Sequence, residues 1–336
     1  MSDIITVTDL VKKYKDGTEA VKKVSFSVKE GEFFGFLGPN GAGKSTTIKV
    51  LTTLLKKTSG VILVDNIDVS KKPINVRKII GYSAQEIGVD DELTGLENIR
   101  LQGRLYHQPE PEVISRGDEL LELLDLSNVA NKRTGFYSGG MRKRLDIGLA
   151  LMHNPKVLFL DEPTTGLDPQ TRVNLWEYLS KINKEEGVTI FLTTHYMDEA
   201  DKLCRNLAII DHGEIIAEGS PQKLKADLGG SVIDIQLTDP LKTDYIGMQE
   251  KLKIHVAVKE MKVSDRSLTI YSNKGEGKLS ELLSIITEFT KLENISFSGP
   301  TLDDVFIKLT GRKIRDEHGK PADFFTKQRR ASGRMR

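Results

Sequence analysis

Nine consecutive residues, GPNGAGKST at 38–46, combine glycines, a lysine and hydroxyls at a spacing that suits phosphate binding. Three glycines let the backbone curl so that its N–H groups face an anion, where larger side chains would block the approach. Lys44 supplies a positive charge to the β- and γ-phosphates, and the Ser45 hydroxyl is a ligand for Mg²⁺. A strand pattern precedes the segment and a helical pattern follows it, which favours a P-loop over a glycine-rich turn without a ligand. The predicted phosphate site consists of Gly38, Pro39, Asn40, Gly41, Ala42, Gly43, Lys44, Ser45 and Thr46.

Two carboxylates stand at the end of another apolar run, KVLFLDEP, as Asp161 and Glu162. Ligands of open α/β sheets lie beyond the carboxyl ends of the strands, where the P-loop also lies. Neighbouring strand residues point in opposite directions, so the two acids can do different work. We predict that Asp161 holds Mg²⁺ through water and that Glu162 polarises the attacking water. Strand ends often carry acids simply because they are exposed, but the P-loop in the same chain favours the catalytic interpretation.

Two further polar residues follow apolar strand patterns. His195 ends VTIFLTTH, so we expect it at the same edge of the sheet, where it senses the γ-phosphate. A lone histidine is more often an ordinary surface or core residue, and only its position argues otherwise. Gln85, in IGYSAQE, is by position alone a polar loop residue.

Ser138, Gly139 and Gly140 precede a helical apolar rhythm that starts at Met141. The beginning of a helix exposes unpaired N–H groups and a partial positive charge, which favour an anion. A turn in which Ser138 merely caps its own helix is the alternative.

The composition limits the classes of function. Lys plus Arg number 49 and Asp plus Glu 48, so the net charge of +1 gives no global attraction to nucleic acid or to acidic membranes. A single cysteine, Cys204, excludes an internal disulfide and fits a reducing compartment. We find no signal-peptide pattern and no apolar run near the ~20 residues that span a bilayer. If the protein serves transport, we expect another subunit to form the path.

Strand and helix patterns alternate over the first two-thirds of the chain, which predicts an α/β fold with a mainly parallel sheet covered on both faces. The strand patterns are 32–37, 156–161, 188–194 and 206–211, and the clearest helical patterns are 118–126 and 171–186.

The pattern changes near residue 222. Residues 223–310 read as strand, helix, strand, strand, helix, strand and a last helix, which predicts a small ferredoxin-like α+β module. Its predicted elements are 232–237, 245–253, 255–259, 267–272, 276–289, 294–298 and 302–310. Residues 311–336 are basic and lack apolar periodicity, so we predict a mobile tail.

Together these features resemble the ATP-binding cassette (ABC) family over about residues 4–222. The P-loop, the glutamine loop at Gln85, the signature at 138–140, the acidic strand, the GLD loop at 166–168 and the switch histidine occur in the family's order. The resemblance implies a P-loop cassette of 1–222 with a mixed or parallel sheet core and a helical subdomain at about 90–150. YSGGM with TLDDVF in the C-terminal module also resembles the drug-export branch typified by daunorubicin-resistance ATPases.

The resemblance also assigns roles that the residues alone do not. Two copies would pair head to tail, so that Ser138, Gly139 and Gly140 cap ATP on the other copy's P-loop. Tyr14 would stack on adenine, Asp168 would lie across the dimer seam, and Gln85 would join the catalytic and Mg²⁺-binding residues beside separate membrane permease subunits. The sequence departs from the usual signature at Tyr137 and Met141, and Met141 is given no contact.

The function that the resemblance implies is an ATP-hydrolysing subunit at the cytoplasmic face of the cell membrane. It would power an exporter of a drug, a lipid or a polysaccharide by ATP-driven dimer closure. The alternative is a non-transport ABC ATPase acting on ribosomes or DNA. One P-loop per chain argues against the first, and the lack of a long coiled coil between P-loop and signature argues against the second. No nucleic acid is expected as a partner.

Overall fold

The chain folds into the alternating strands and helices that its sequence indicates. The computed structural model describes residues 2–228, 231–237, 245–255, 258–264, 267–272 and 275–311. The strands are β1 Asp3–Lys13, β2 Glu19–Lys29, β3 Phe33–Leu37, β4 Ser59–Val64, β5 Ile67–Asp68, β6 Ile80–Ser83, β7 Val157–Asp161, β8 Thr189–Thr194, β9 Asn206–Asp211, β10 Glu214–Gly219, β11 Ser231–Leu237, β12 Val258–Ser264, β13 Ser267–Ser272 and β14 Leu292–Ser298. The helices are α1 Lys44–Leu51, α2 Pro73–Arg77, α3 Gly95–Leu105, α4 Glu110–Leu123, α5 Gly139–Leu151, α6 Pro169–Glu185, α7 Met197–Leu203, α8 Pro221–Leu228, α9 Tyr245–His255, α10 Gly275–Phe289 and α11 Leu302–Thr310.

A six-stranded sheet in the order β10-β9-β3-β8-β7-β6 forms the centre of the cassette. Its strands pair in parallel except β10, which pairs antiparallel with β9. Every residue of β3, β7 and β8 is buried, as the unbroken apolar runs predict for strands covered on both faces. Leu37 pairs with Thr194, and Asp161 pairs with Thr193. The P-loop, the acidic pair and the switch histidine therefore follow three neighbouring strands at one edge of the sheet.

A second sheet, antiparallel in the order β2-β1-β4-β5, was not among the sequence predictions. Its strands alternate buried and exposed residues, as in the second half of β2, because one face lies on the core. Phe26 of this sheet packs on Phe34, Phe36 and Phe191 of the central sheet. The result is a mixed-sheet cassette, as the fold prediction states.

The helical segment lies between β6 and β7. A capping box of Thr94 and Glu97 starts α3, and Ser138 starts α5 by accepting a hydrogen bond from Met141 N–H. Helix α1 ends at Leu51, so Leu54 lies beyond the helix although the apolar rhythm extends to it. No helix within the described residues is both long and apolar enough to cross a bilayer.

The C-terminal module has the sheet order β12-β13-β11-β14, with all pairs antiparallel. Counted along the module this is the order 2-3-1-4 of a ferredoxin-like fold, which confirms the predicted topology. The predicted strand at 255–259 is wrong: His255 ends α9, and the strand is Val258–Ser264. Apart from Gly311, the predicted tail lies outside the described residues.

Helix α11 does not pack with the module's own core. Leu302, Val305 and Phe306 belong to the hydrophobic cluster of the cassette, which also includes Val232 and Tyr271 of the module, and α11 contacts α7 and α8. The module's separate core includes residues of β11, β13 and α10. The last described helix therefore anchors the chain on the cassette side. The exact boundary between cassette and module remains a prediction.

Candidate functional site

Two P-loop glycines, Gly38 and Gly43, leave no space for a side chain. Gly43 has a φ of 108°, and a Cβ there would lie 2.4 Å from the carbonyl oxygen of Ala20. A Cβ at Gly38 would lie 2.2 Å from the carbonyl oxygen of Ile210. Among the described residues, no side chain caps the first turn of α1, so its N–H groups face outward for an anion.

Lys44 occupies the centre of the loop with its ammonium buried. Its Nζ donates hydrogen bonds to the carbonyls of Gly38 at 2.7 Å and Pro39 at 3.1 Å. The same Nζ lies 3.0 Å from Oε1 of Glu162, so the two predicted catalytic residues form a buried ion pair. Burial lowers the pKa of Lys44, and the carboxylates of Glu162 and Asp161 oppose that change.

Glu162 lies between Lys44 and the switch histidine. Nδ1 of His195 is 3.2 Å from Oε2 of Glu162, and Thr165 Oγ1 donates to the same oxygen at 3.3 Å. Burial raises the pKa of Glu162, but the neighbouring His195 and Lys44 outweigh burial and lower the pKa to about 2. The carboxylate is therefore ionised.

Glu162 also has a left-handed backbone, with a φ of 47°. Such a conformation is unusual for a residue other than glycine and costs free energy. It is held because the Glu162 N–H donates to the carbonyl and the hydroxyl of Thr193, both at 3.1 Å. Strain that is held in place by hydrogen bonds at a strand end is typical of functional sites.

The side chain of Asp161 has different hydrogen-bond partners from the side chain of Glu162, as the strand geometry predicts. Its Oδ1 accepts from Ser45 Oγ at 3.1 Å and from Thr193 Oγ1 at 2.6 Å. The Ser45 hydroxyl and the Asp161 carboxylate are thus adjacent, and both are hard oxygen ligands of the kind that Mg²⁺ prefers. Thr193 was not predicted, although its position two residues before His195 on a parallel strand indicated this edge.

Tyr14 lies just after β1 beside the P-loop helix. Its hydroxyl is 3.2 Å from Thr46 Oγ1, its ring is half-exposed, and Lys12 Nζ lies 5.1 Å from the ring centroid. An exposed aromatic face next to a phosphate loop is available for stacking on a base.

The signature residues contact a different part of the chain from the P-loop. A Cβ at Gly140 would lie 2.3 Å from Thr171 Cγ2, whereas a Cβ at Gly139 would only reach Leu167 Cδ2 at 3.8 Å. Asp168 caps α6 by accepting hydrogen bonds from Thr171 N–H at 3.0 Å and from Thr171 Oγ1 at 2.6 Å. The signature and the GLD loop are therefore neighbours, and they start two adjacent helices.

Gln85 lies in an exposed bend after β6. A groove of about 320 Å³ is found at this loop and is lined by Tyr82, Gly88 and Asp146, among others. The roles predicted for the site residues remain predictions, but the geometry brings the P-loop, Asp161, Glu162 and His195 to one edge.

The edge fits a nucleoside triphosphate with a divalent cation. A buried ammonium bound to one internal carboxylate offers a place for phosphate oxygens, and α1 begins at the same lysine without a side-chain cap. A parallel sheet with a P-loop, a helical subdomain that carries a Ser-Gly-Gly helix start, and an antiparallel side sheet define an ATP-binding cassette ATPase.

The comparisons with known proteins agree. A family model described as ABC transporter matches residues 21–165, and a model for the C-terminal domain of DrrA1-3-like ATP-binding proteins matches residues 219–310. The chain belongs to the ABC transporter family and is an ATPase that binds ATP.

Curated relatives match nearly the whole chain. Daunorubicin resistance ATP-binding protein DrrA3 of Streptomyces coeruleorubidus is 38% identical over 93% of this chain and 98% of its own length. Linearmycin resistance ATP-binding protein LnrL of Bacillus subtilis is 38% identical over 91% of this chain and 98% of its own. Among solved structures, the dimeric post-hydrolysis state of the ATP-binding cassette MJ0796 with ADP and Pi matches with a TM-score of 0.58, at 31% identity over 64% of this chain and 98% of that one.

Proposed function

We propose that the chain is the ATP-hydrolysing subunit of a multi-subunit membrane exporter, and that two copies close head to tail around ATP. The observation that carries the proposal is the buried Lys44–Glu162–His195 cluster at the mouth of the P-loop. A lysine for phosphate, a base held ionised and a histidine beside it are the groups that ATP hydrolysis needs. The two resistance proteins named above support export of a drug-like substrate.

Each group of the cluster has a distinct task in this proposal. Lys44 leaves Glu162 to bind the β- and γ-phosphates, which frees the Glu162 carboxylate to accept a proton from the attacking water. His195 then contacts the γ-phosphate. Ser45, Asp161 and Gln85 would hold Mg²⁺, which neutralises charge on the phosphates.

The dimer follows from the separation of the phosphate-binding groups. Gly139 lies beside Leu167 of the GLD loop and Gly140 beside Thr171 of α6, so in this proposal a second copy brings its signature to this copy's P-loop. The dimeric MJ0796 structure supports this arrangement. ATP then drives closure by differential affinity, since only the closed dimer offers both halves of the site. Asp168 lies near the seam.

Mixing two inactive variants tests the shared site. Lys44→Ala chains lack the phosphate ligand, and Gly139→Asp chains lack the cap, so each alone should be inactive. A mixed dimer regains one intact site and should recover part of the ATPase activity. Absence of recovery in confirmed mixed dimers, when a dimer with one wild-type subunit is active, would contradict the proposal.

We place the membrane permease at the groove beside Gln85. Leu54, Tyr82 and Leu149 line this groove, and Leu54 is 63% exposed, so an apolar surface is open to a partner. The chain would then lie at the cytoplasmic face of the membrane, held by that subunit. Isolation of tagged chain from solubilised native membranes tests this: a polytopic protein in equal amount supports it, whereas ribosomal proteins or DNA support the alternative. Leu54→Glu should lower recovery of the permease, and Leu309→Glu, a matched change at an exposed leucine on α11, should not.

We also propose that residues 1–222 form the cassette, that 223–310 form an accessory module and that 311–336 form a basic tail. The apolar face of α11, which is buried against α7 and α8, supports a role for the module in assembly or regulation rather than in nucleotide binding.

A further inference from the structure

A second buried ion pair lies on α5, outside the P-loop edge. Lys143 and Asp146 are about one turn apart on this helix and are 3% and 7% exposed. Lys143 Nζ lies 3.5 Å from Asp146 Oδ2. Two buried charges are costly unless each also makes hydrogen bonds, so the other partners of the pair indicate what it holds.

Those partners bracket Gln85. Lys143 Nζ donates to the carbonyl of Ala84 at 2.7 Å, and the N–H of Gly88 donates to Asp146 Oδ1 at 2.9 Å. Asp146 Oδ2 also accepts from Ser83 Oγ at 2.5 Å, at the end of β6. The loop that contains Gln85 is therefore fastened at both ends, while Gln85 itself is exposed between the two attachments.

We propose that Lys143 and Asp146 are positioning residues that fasten the glutamine loop, residues 84–88, to the signature helix so that the two move as one unit. Helix α5 starts at Ser138, so a displacement of the signature reaches Gln85 through a rigid helix and two short hydrogen bonds. Asp146 and Gly88 also line the groove beside the loop, which puts the same attachment next to the surface proposed for the permease. The catalytic consequence of this attachment rests on the proposed function, whereas the attachment itself does not.

The competing explanation is that the pair only stabilises α5. An ion pair between the helical subdomain and the end of α6 offers a matched control. Arg116 Nη2 on α4 lies 2.6 Å from Glu186 Oε2, and Arg116 is largely buried, but neither residue contacts the glutamine loop. Removing either cation leaves a partly buried carboxylate unpaired, so both changes should destabilise the fold. Only loss of Lys143 should release an attachment of the loop, the one at the Ala84 carbonyl.

A spin label on the loop separates the two explanations. Cys204 is the sole cysteine and is buried, so Glu86→Cys introduces a single exposed thiol for a nitroxide. In the full-length chain without nucleotide we expect an immobilised spectral component. Lys143→Met should weaken this component, because the attachment at Ala84 is lost, whereas Lys143→Arg, which keeps the donor, and Arg116→Met should retain it in full. An unchanged spectrum in folded Lys143→Met would overturn the proposal.

A double variant covers the case in which Lys143→Met does not fold. Lys143→Met combined with Asp146→Leu leaves no unpaired buried charge, and such apolar replacements of buried pairs are often neutral for stability. It should lose the immobilised component, and retention of the component would overturn the proposal equally. ATPase measurements on the unlabelled chain give the second readout: Lys143→Met should lower kcat and leave KM for ATP unchanged, because the P-loop is untouched. If the parent chain has no ATPase activity the proposed function fails, and the spectra still decide the attachment.

Discussion

The Lys44–Glu162 ion pair has a measurable consequence for ATP affinity. The Glu162 carboxylate contacts the ammonium that ATP needs, with 3.0 Å between Nζ and Oε1. ATP must therefore displace an internal anion before its phosphates bind Lys44. Glu162→Gln keeps an acceptor of the same size but removes the negative charge. We predict that this variant binds ATP more tightly than the parent chain while hydrolysis is lost.

The magnitude follows from the type of contact. A hydrogen bond to a charged group contributes about 1.5–3 kcal/mol, and the glutamine retains part of it as a neutral acceptor. A net change of about 1.4 kcal/mol corresponds to about tenfold in Kd. Both Lys44 and Glu162 are at least nine-tenths buried, so solvent screens the pair only weakly.

The measurement must exclude dimer closure, which would tighten binding for another reason. We would determine Kd for ATP by equilibrium dialysis in a Gly139→Asp background, with and without Glu162→Gln, because a disabled signature prevents capture by a second copy. Thr165→Ala is the control: it removes a hydrogen bond from a neutral donor to Glu162, leaves the Lys44–Glu162 pair in place and should leave Kd unchanged. Equal or weaker binding in the Glu162→Gln chain would refute the idea that the carboxylate competes with nucleotide.

Three more predictions concern Glu162, Phe306 and Tyr14. Glu162 has a folded-state pKa of about 2, below its usual 4.5. The ionised carboxylate therefore contributes about 3 kcal/mol to the free energy of unfolding. This contribution is complete above pH 4.5 and is lost as the pH falls toward 2. Urea unfolding should show the gap between parent and Glu162→Gln narrowing from pH 6.5 to pH 3, and a constant gap would contradict this linkage. Phe306→Ala should cost about 3–5 kcal/mol in the same assay, because the ring is fully buried in the cassette core, and Phe136→Ala, at a ring that is 71% exposed, should cost far less. Tyr14→Ala should weaken ATP binding by several-fold while phosphate-only ligands are unaffected, since stacking of aromatic rings contributes about 0.5–1.5 kcal/mol.

The catalytic edge could be predicted from the sequence because each strand and its carboxyl end can be recognised within a short segment. An unbroken apolar run such as VLFL indicates a strand covered on both faces, and parallel strands place their carboxyl ends together. Asp161, Glu162 and His195 were thus expected at one edge without knowledge of the strand order. Thr193 could have been found in the same way, since it is the residue of β8 that pairs with Asp161 of β7.

Other features depend on contacts between distant residues, and no local pattern indicates them. The antiparallel sheet was missed because β1 and β2 are amphipathic strands, and their position is decided only by long-range packing such as that of Phe26 on the central sheet. The strand after α9 was displaced because helix and strand patterns overlap near His255. Helix α11 was predicted with correct bounds, but its burial in the cassette core could not be read from an amphipathic pattern, which shows an apolar face and not the surface that it covers.

The two signature glycines make a last prediction possible, because only one of them is required within its own chain. Gly140 has no room for a Cβ beside Thr171. If a substitution of Gly140 lowered ATPase activity, a packing defect within the chain would explain the loss as well as a lost contact with ATP. A Cβ at Gly139 would reach Leu167 only at an ordinary contact distance of 3.8 Å, and alanine in a helix is favoured over glycine by roughly 0.5–1 kcal/mol. Gly139→Ala should therefore raise the unfolding free energy slightly while it lowers ATPase activity, because the added methyl obstructs a phosphate held by the second copy. Unfolding and ATPase assays on the same preparation test whether stability rises while activity falls. Gly148→Ala is the control, because it changes another glycine of α5 that is packed against Leu124 and not open. Full ATPase activity in Gly139→Ala would mean that the bare helix start has no ligand on the other copy.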